Sequence, residues 1–348
     1  MKFGPVPLDE AEGKILGHNI ADQAGRRILR KGKPLTAGDV AMLSSLGRKL
    51  VYVAELAADD VGENQAAQRI ATAIAGKNLA VSESVTGRAN LCAKLLGLVR
   101  LDENRLQQIN MCAAVTLATM PNHAVVYPDD VVATLKIVAY AIPEIEVLEA
   151  EMIGCDQSLN GHHGGEALLR VDPLPARRVG LILTGSPAVR DRIESGFTRA
   201  VKTRLTTWGS TLDQVSFVSL EDDEGESALA QMIRMQIGAG MEMVILAGET
   251  AIMDRHDIAP RAVEAAGGHV TCFGAPVDPG NLLMLARHGK TPVIGMPSCG
   301  RSPKRNIVDI VLPRLLAGDY LTRLDIIRLG HGGLLDDVPE RPRPRRFA

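Results

Sequence analysis

The C-terminal half of the chain alternates between short apolar runs and longer segments with an apolar stripe. The runs VGLILTG, VSFVSLED, MVILAGET, HVTCFGAP and TPVIGMP predict strands within residues 179–297. Between them, apolar residues spaced by three or four positions predict helices, the longest at 189–208. Strands that are apolar throughout and alternate with helices are typical of a parallel sheet covered on both faces. The pattern predicts an α/β fold for residues 178–335, a three-layer α/β/α domain with a mainly parallel sheet.

The N-terminal half has a mixed pattern, which predicts an α+β region over residues 1–150. Apolar spacing over 8–20 predicts a helix. A second helix begins after Thr36, a candidate N-cap with Asp39 in the capping-box position. The segments KLVYVAEL and VVATLKIVAYAIP are rich in β-branched residues and predict strands. Residues 62–76 and the first part of NRLQQINMCAAVTLATM predict further helices.

Two segments show neither pattern. The stretch GCDQSLNGHHGGEALLRVDPLPARR is rich in Gly and Pro and predicts a linker over residues 151–177. The pair His162–His163 lies in it, without the spacing of metal ligands. Residues 336–348 are rich in Pro and Arg and predict a disordered tail, whose arginines either remain solvated or contact an anion.

Composition restricts the classes of partner. The formal net charge of -2 produces no field that attracts nucleic acid or an anionic membrane. Aromatic residues make up only 3% of the chain, which argues against base-stacking platforms. No apolar stretch approaches the length of about 18 residues that a membrane span needs. We therefore expect neither nucleic acid nor a membrane among the partners.

The cysteines and the N-terminus bear on the compartment. No CxxC pair or zinc-type spacing occurs, and scattered thiols of this kind are typical of a reducing compartment. The N-terminal sequence MKFGPVPLDEAEGKIL lacks the apolar region of a signal peptide. We expect a cytoplasmic protein. The cysteines are Cys92, Cys112, Cys155, Cys272 and Cys299.

In open α/β sheets, ligands bind beyond the carboxyl ends of the strands, so the loops there are candidate sites. The first loop, LTGSPAVRDR, places Thr184, Gly185 and Ser186 at a helix start. Free N–H groups and the helix dipole suit a phosphate at such a place. A plain turn with Ser186 as N-cap is the alternative.

The second loop, LAGETAIMDRHDIAP, combines a small turn with hydroxyl and carboxylate groups. Its candidates are Gly248, Glu249, Thr250, Asp254 and Asp257. A carboxylate beside a phosphate repels it unless Mg²⁺ lies between them, so Asp254 and Asp257 are candidate metal ligands. Asp257 can instead cap the helix that follows it.

The third and fourth loops offer turn residues and cations. GAPVDPGNLLM places Pro279, Gly280 and Asn281 next to a strand. GMPSCGRSPKRN is the best anion cradle in the sequence, because hydroxyl and cationic groups lie near a helix start. Its candidates are Pro297, Ser298, Arg301, Ser302 and Lys304. No GxGxxG follows a strand and no GxSxG occurs, so fingerprints of dinucleotide binding and of a nucleophile elbow are absent.

In this order, the four loops resemble the molybdopterin-binding domain of the MoeA, MogA and gephyrin family. The family's loops read approximately TGDE, GG-S-G…D, PGKP and GLPGNP, where this chain has LTGSP, AGET…D..D, PVDPGN and GMPSCGRSPK. The resemblance covers about residues 178–318. EAEGKILGHNI, LRKGKPLTAGDVAMLSSLGRKLVYV and VVATLKIVAYAIP are also similar to N-terminal parts of the molybdate-inserting enzymes of this family.

The resemblance implies a role in molybdenum cofactor biosynthesis, with molybdopterin or its adenylylated form bound at the strand-end loops. It implies that Asp254 and Asp257 are catalytic and hold Mg²⁺ or molybdate. Relatives of this kind form dimers or trimers, so it also implies a homo-oligomer. The implied binding residues are Thr184, Gly185, Ser186, Gly248, Glu249, Thr250, Pro279, Gly280, Asn281, Pro297, Ser298, Ser302 and Lys304.

The chain departs from the family pattern in three loops. Ser186-Pro187 replaces the acidic pair after Thr-Gly, Ala247-Gly248 replaces Gly-Gly, and Ser298-Cys299-Gly300 replaces Gly-Asn-Pro. The family's carboxylates organise metal and charge, so losing two of them affects catalysis more than binding. The small C-terminal β domain of the molybdate-inserting enzymes is also expected to be missing.

Three functions are compatible with these observations. The first is a protein that binds or presents molybdopterin, beside a cofactor nucleotidyltransferase or a molybdoenzyme. The second is an active transferase, either a molybdopterin adenylyltransferase or a molybdotransferase that uses Mg²⁺ and molybdate. The third is an unrelated α/β protein that binds another phosphorylated small molecule at the same loops.

Overall fold

The computed structural model describes residues 1–155, 166–220, 224–249 and 252–335. The chain divides into two compact units, Met1–Asp172 and Pro173–Ala348. Thr250, the pair His162–His163 and the tail over 336–348 lie outside the described residues. Within those ranges no helix is both long and apolar enough to span a membrane.

Within its described residues the first unit is built from short strands, four α-helices and one short 3-10 helix, Leu8–Glu10. Its elements are β1 (Lys2–Pro7), β2 (Ile15–Leu16), β3 (Ile20–Ala21), β4 (Arg27–Leu29), α1 (Ala37–Ser45), β5 (Leu50–Glu55), β6 (Asp60–Gly62), α2 (Glu63–Ile74), β7 (Leu79–Val81), β8 (Arg88–Ala93), β9 (Gly97–Leu101), α3 (Glu103–Met111), β10 (Val115–Thr119), β11 (Val125–Val126), β12 (Val131–Ile137), β13 (Ala141–Pro143), α4 (Glu144–Cys155) and β14 (Leu169–Pro173).

The strands of the first unit form small sheets, with the orders β1-β5-β2, β3-β4, β10-β12-β8-β7, β11-β9-β14 and β13-β6. The buried apolar residues form separate clusters, one within residues 8–53 and one within 61–171. Small sheets that pack with helices around two cores confirm the prediction of an α+β region.

The helix predicted over 8–20 is wrong. Residues 15–16 instead form β2 and pair with β5. Gly13 has a φ of +79°, which a right-handed helix does not accept, and its N–H donates to the carbonyl of Leu35 at 2.8 Å. The spacing of apolar residues fits a helix, but the backbone groups here bond to distant segments instead.

The linker predicted over 151–177 is also wrong where the structure describes it. α4 extends to Cys155, and β14 pairs within a sheet of the first unit. The Arg105 guanidinium donates to the carbonyls of Ile153 and Gly154 at 2.8 and 2.6 Å, which fixes the end of α4. Leu169 and Val171 of β14 are fully buried. The linker prediction rested on the high content of glycine and proline in this stretch and gave too little weight to these apolar residues.

The second unit contains one six-stranded sheet with the order β16-β15-β17-β20-β19-β18. Its elements are β15 (Arg178–Gly185), α5 (Arg190–Thr207), β16 (Thr211–Ser219), α6 (Gly225–Gly238), β17 (Met243–Gly248), α7 (Ile258–Ala265), β18 (His269–Phe273), β19 (Met284–His288), β20 (Thr291–Gly295), α8 (Val308–Leu316) and α9 (Arg323–Arg328).

The sheet of the second unit is mainly parallel, as predicted. β15 pairs in parallel with β16 and β17, and β17 with β20, whereas β19 is antiparallel to both of its neighbours. The chain passes from β15 to β16 on one side and then back across β15 to β17. Right-handed crossovers therefore place α5 and α6 on opposite faces, which gives the predicted three layers. The sequence pattern did not predict β19, and the helix start expected beside the groups of the fourth loop lies after that loop, at Val308.

Candidate functional site

The four candidate loops lie at one edge of the sheet in the second unit. β15, β17 and β20 are parallel, so the loops after them leave the same edge. The loop over 274–283 reaches that edge too, because β19, which follows it, runs antiparallel to β20. β16 and β17 pair with opposite sides of β15, which makes the gap between β15 and β17 a topological switch point.

At the switch point the first two loops contact each other directly. Gly248 ends β17, and the N–H of Glu249 donates to the carbonyl of Thr184 at 2.9 Å. A Cβ on Gly185 would lie 3.0 Å from the Cβ of Glu249 and 2.9 Å from Cδ1 of Ile193. The missing side chain at 185 therefore permits the close approach of the two loops.

The Glu249 carboxylate is an exposed acceptor beside the start of α5. Its Oε2 accepts the N–H of Ser186 at 3.2 Å, and its Oε1 lies 3.7 Å from a guanidinium nitrogen of Arg192. The first loop lacks an acidic pair after Thr-Gly. The second loop instead supplies one carboxylate, that of Glu249, next to Ser186. A phosphate bound at the first loop would be repelled by the Glu249 carboxylate. Its cationic contacts must therefore come from other loops along this edge of the sheet.

The candidate metal ligands Asp254 and Asp257 stabilise the second loop. Asp257 is the N-cap of α7: Oδ1 accepts the N–H of Ile258 at 2.7 Å and Oδ2 accepts that of Met253 at 3.0 Å. Asp254 Oδ1 accepts the N–H of His256 at 2.7 Å. Among the described residues no group of three or more His, Cys, Asp or Glu side chains could hold a metal ion. The hydrogen bonds of both carboxylates therefore go to backbone N–H groups of the loop and of the start of α7.

The third and fourth loops pack against each other. The N–H of Ile307 donates to the carbonyl of Pro279 at 3.1 Å. A Cβ on Gly280 would lie 2.3 Å from the Cβ of Ile307, so no larger residue fits at 280 without a shift. Asn281 is exposed, and its carbonyl accepts the N–H of Ala275 at 2.9 Å, which closes the turn.

The buried Arg204 of α5 holds the fourth loop in place. The loop forms one 3-10 turn, Ser298–Arg301, which Pro297 precedes as N-cap. Arg204 is only 7% exposed and donates to the carbonyls of Gly300 and Ser302 at 2.9 and 2.8 Å. Its Nε donates to Asp309 Oδ1 at 2.7 Å.

Sequence reasoning missed Arg204, because an arginine in an amphipathic helix usually lies on the solvated face. The position of Arg204 along α5 is the sequence signal that could have identified it. Arg204 shares the apolar stripe of α5 with Phe197, Val201 and Leu205, all of which are buried. A charged residue on a buried stripe indicates a partner inside the fold.

A cavity of about 470 Å³ lies between α5 and the fourth loop. Arg199 and Arg301 line it, both exposed, and neither has a hydrogen bond or ion pair among the described residues. Next to it, Ser302 Oγ accepts the N–H of Lys304 at 3.2 Å. Since no described carboxylate pairs with either guanidinium group, an anion bound in this cavity would form favourable ion pairs with them.

Cys299 lies in the fourth loop and is not activated. Burial raises the pKa of its thiol above the ordinary value, and the nearby Arg204 only partly opposes this effect. The thiol therefore stays protonated at neutral pH, and thiolate chemistry is disfavoured.

Comparisons with known proteins give limited matches. The model of a family described as a domain of unknown function (DUF8806) matches residues 5–55. No curated protein matches the sequence. Of the solved structures that match, a molybdenum cofactor biosynthesis protein from Pyrococcus furiosus is 9% identical with a TM-score of 0.26, over 91% of this chain and 64% of its own. This chain therefore spans about two thirds of the length of that protein.

Two further solved structures match this chain with similarly low identities. The molybdopterin biosynthesis MoeA protein from Pyrococcus horikosii is 14% identical with a TM-score of 0.30, over 91% of this chain and 75% of its own. A molybdopterin biosynthesis protein from Mycobacterium abscessus is 12% identical with a TM-score of 0.26, over 41% of this chain and 93% of its own. At such low TM-scores these likenesses support no conclusion about function.

Proposed function

We propose that the second unit binds molybdopterin or its adenylylated form at the strand-end edge and acts in molybdenum cofactor biosynthesis as a binding protein. The observation that carries the proposal is the meeting of the four loops at one edge, around the switch point between β15 and β17. These are the loops on which the family resemblance rests, and ligands of open α/β sheets bind at such a crevice.

The charges along the edge support a ligand that carries phosphate. Arg199 and Arg301 line the cavity beside the fourth loop without described carboxylate partners. The charge of the neighbouring Arg204 is neutralised by Asp309, and its guanidinium group holds the fourth loop through hydrogen bonds to backbone carbonyls. Because neither Arg199 nor Arg301 has a carboxylate partner within the described ranges, a phosphate of the ligand would supply an anionic partner.

Binding without catalysis is favoured over the two transferase activities. Both of these activities move charge on phosphate or molybdate groups, and metal ions usually stabilise that charge. Both oxygens of Asp257 already accept backbone N–H groups, Oδ1 that of Ile258 at the start of α7 and Oδ2 that of Met253 in the loop before it. Asp254 and Asp257 are therefore better explained as structural groups, with molybdopterin as a bound ligand that the protein carries.

The binding test uses isothermal titration of the full chain with purified molybdopterin. We expect saturable binding, and Arg301→Gln should weaken it about tenfold, since a charge-assisted bond is lost. Lys290→Gln is the matched control, because that exposed lysine lies in the β19–β20 turn at the opposite edge. A folded protein that binds no pterin would exclude the proposal and leave the unrelated phosphorylated ligand.

The catalytic alternatives are tested by turnover with molybdopterin, ATP, Mg²⁺ and molybdate. We expect bound pterin to be recovered unchanged. Asp257→Ser keeps a capping side chain and removes the charge, so it separates the two roles of this residue. Turnover that Asp257→Ser abolishes would show a transferase and contradict the binding-only function. The expected dimer or trimer is checked by mass photometry of the same samples.

A further inference from the structure

Four rings gather at one end of the β1-β5-β2 sheet, in a chain that has few aromatic residues. The Phe3 ring lies 5.6 Å from His18 edge to face, 6.3 Å from Tyr52 and 6.4 Å from Tyr140, between centroids. His18 and Tyr52 are 5.3 Å apart. The cluster holds two of the chain's 4 Tyr and one of its 5 Phe. Low aromatic content argued against a stacking platform, but the fold concentrates the rings that exist.

A cavity of about 620 Å³ opens beside these rings within the first unit. Its lining includes the aromatic residues Phe3, His18 and Tyr140 and the charged residues Lys31, Glu63 and Lys136. Its volume is in the range of about 300–1,000 Å³ that is usual for small-molecule sites. The lining of the cavity therefore combines aromatic and charged side chains.

The rings are held in position before any ligand arrives. The Tyr140 hydroxyl donates to the carbonyl of Gly17 at 2.7 Å, and burial raises the pKa of Tyr140, which keeps this donor protonated. A Cβ on Gly17 would lie 2.7 Å from Cε2 of Phe3, so the ring packs directly on the glycine backbone. Phe3 is nevertheless 48% exposed. A fixed ring with half of its surface exposed binds a second ring at little cost in conformational entropy.

The charged groups that line the cavity are Lys31, the Glu63–Lys136 pair and the N-terminal ammonium of Met1, which pairs with Asp60. Lys136 Nζ donates to the carbonyl of Thr86 at 2.6 Å and lies 3.3 Å from Glu63 Oε2. The exposed Lys31 ammonium has no hydrogen bond or ion pair among the described residues. The pair offers a donor and an acceptor side by side, and Lys31 attracts a negative group.

We propose that this cavity binds a planar heteroaromatic small molecule that carries an anionic group. Its ring stacks on the exposed face of Phe3 and meets His18, whose plane is nearly perpendicular to that of Phe3, edge to face. Its ring-edge nitrogen or oxygen atoms bond to Glu63 and Lys136, and its anion pairs with Lys31. An apolar ligand would leave the Glu63–Lys136 pair buried without a new partner, which costs free energy. A polynucleotide needs a series of cations along its backbone, and the net charge of -2 is unfavourable for it.

The test uses flavin mononucleotide and adenosine monophosphate as probes, in calorimetric titrations of the full chain. Riboflavin, adenosine and ribose 5-phosphate each carry only the ring part or only the phosphate. We expect both complete probes to bind, and each partial probe to bind at least about tenfold more weakly. Binding of the complete probes should weaken as salt is added, because an ion pair contributes.

Variants locate the site. Phe3→Leu keeps apolar packing but removes the stacking face, so binding should weaken about tenfold. His18→Leu removes an exposed ring of the same site. If Phe3→Leu does not fold, His18→Leu is used in its place, and the same weakening of binding is expected. Lys31→Gln should weaken binding of the complete probes and leave riboflavin binding unchanged. Tyr127→Leu and Lys77→Gln, which change an exposed ring and an exposed lysine elsewhere in the unit, are the matched controls.

Two results would overturn the proposal. One is a folded full chain that binds neither complete probe, and the other is binding that the ring and lysine variants leave unchanged. Arg301→Gln lies in the second unit and should not alter probe binding to this cavity. The molybdopterin proposal and this one can therefore fail separately.

Discussion

Gly280 illustrates how single residues shape the strand-end edge. It has a φ of +142°, and a Cβ there would lie 2.3 Å from the Cβ of Ile307. We expect Gly280→Ala to lower the free energy of unfolding by about 3–4 kcal/mol, because overpacking adds to backbone strain. Urea denaturation followed by Trp208 fluorescence measures this loss, since Trp208 is the chain's one tryptophan.

Gly289→Ala is the matched control for Gly280→Ala. Gly289 has a φ of +58°, and nothing lies within 4 Å of its added Cβ. It should cost only about 1–2 kcal/mol, the strain of the left-handed backbone alone. Equal losses in the two variants would show that the contact with Ile307 is not tight.

Arg204 gives a second prediction at the residue scale. Arg204→Met keeps the length of the side chain but leaves Asp309 and two loop carbonyls without their donor. We expect a loss of about 3–5 kcal/mol in the free energy of unfolding. Lys202→Met, in an exposed cation of the same helix, should change it by less than about 0.5 kcal/mol. Similar small effects for both variants would contradict the structural role of Arg204.

Residue-scale features were partly predictable from sequence. Thr36 and Asp39 do form a capping box, because that motif is local and its geometry follows from the spacing. Asp257 is a helix cap, one of the two alternatives that its spacing allowed. The contact of Glu249 with Ser186 was not predictable, because it joins two loops that only the sheet brings together.

At the scale of elements, the start of α1 should respond to pH. The hydrogen bond from Lys33, together with those from Thr36, lowers the pKa of Asp39 to about 2 from 3.8. Because the pKa is lower in the folded state, the stabilisation is present above pH 3.8 and is lost as the pH falls towards about 2.

Asp39→Asn tests this pH dependence. We expect it to lower the free energy of unfolding by about 1–2 kcal/mol at pH 7, and by much less at pH 2. Circular dichroism during urea denaturation at several pH values checks the difference. Asp9→Asn, in an exposed residue without a described partner, should show a small difference at every pH. A constant gap between Asp39→Asn and wild type across this range would contradict the prediction.

Strands and helices of the second unit were largely predictable, because each buried strand is an apolar run of its own. β19 was missed because MLARH contains Ala and two basic residues, which reduce its apolar character. In the first unit the apolar spacing over 8–20 imitated a helix, and only pairing with β5 shows the strand. Short strands whose partners are distant lack a local pattern that identifies them.

At the scale of the whole molecule, the division at Asp172 makes a testable claim. The fragment 1–150 ends before β14 and lacks the buried Leu168, Leu169 and Val171. Each such side chain contributes about 1.5–3 kcal/mol when buried, so this fragment should not unfold cooperatively. The fragment 1–173, which includes β14, should unfold cooperatively. Equal midpoints of urea denaturation for the two fragments would show that the first unit already ends at residue 150.

The meeting of the candidate loops was predictable in outline, because alternating strands and helices imply parallel strands with their carboxyl ends together. Placing the third loop at that edge required β19, which the pattern did not show. The aromatic cavity of the first unit depends on rings from separate strands and loops. Composition describes the average of a chain, and it cannot reveal such a local concentration.

The strand order also bears on how the second unit assembles. β18, β19 and β20 are consecutive both in the chain and in the sheet, whereas β15 and β17 are separated by α5, β16 and α6. Closing short loops costs less entropy than closing long ones, so the local meander should form early in folding. The parallel pair at the switch point then forms late. The crevice proposed to hold the ligand would thus be among the last parts of the domain to become native.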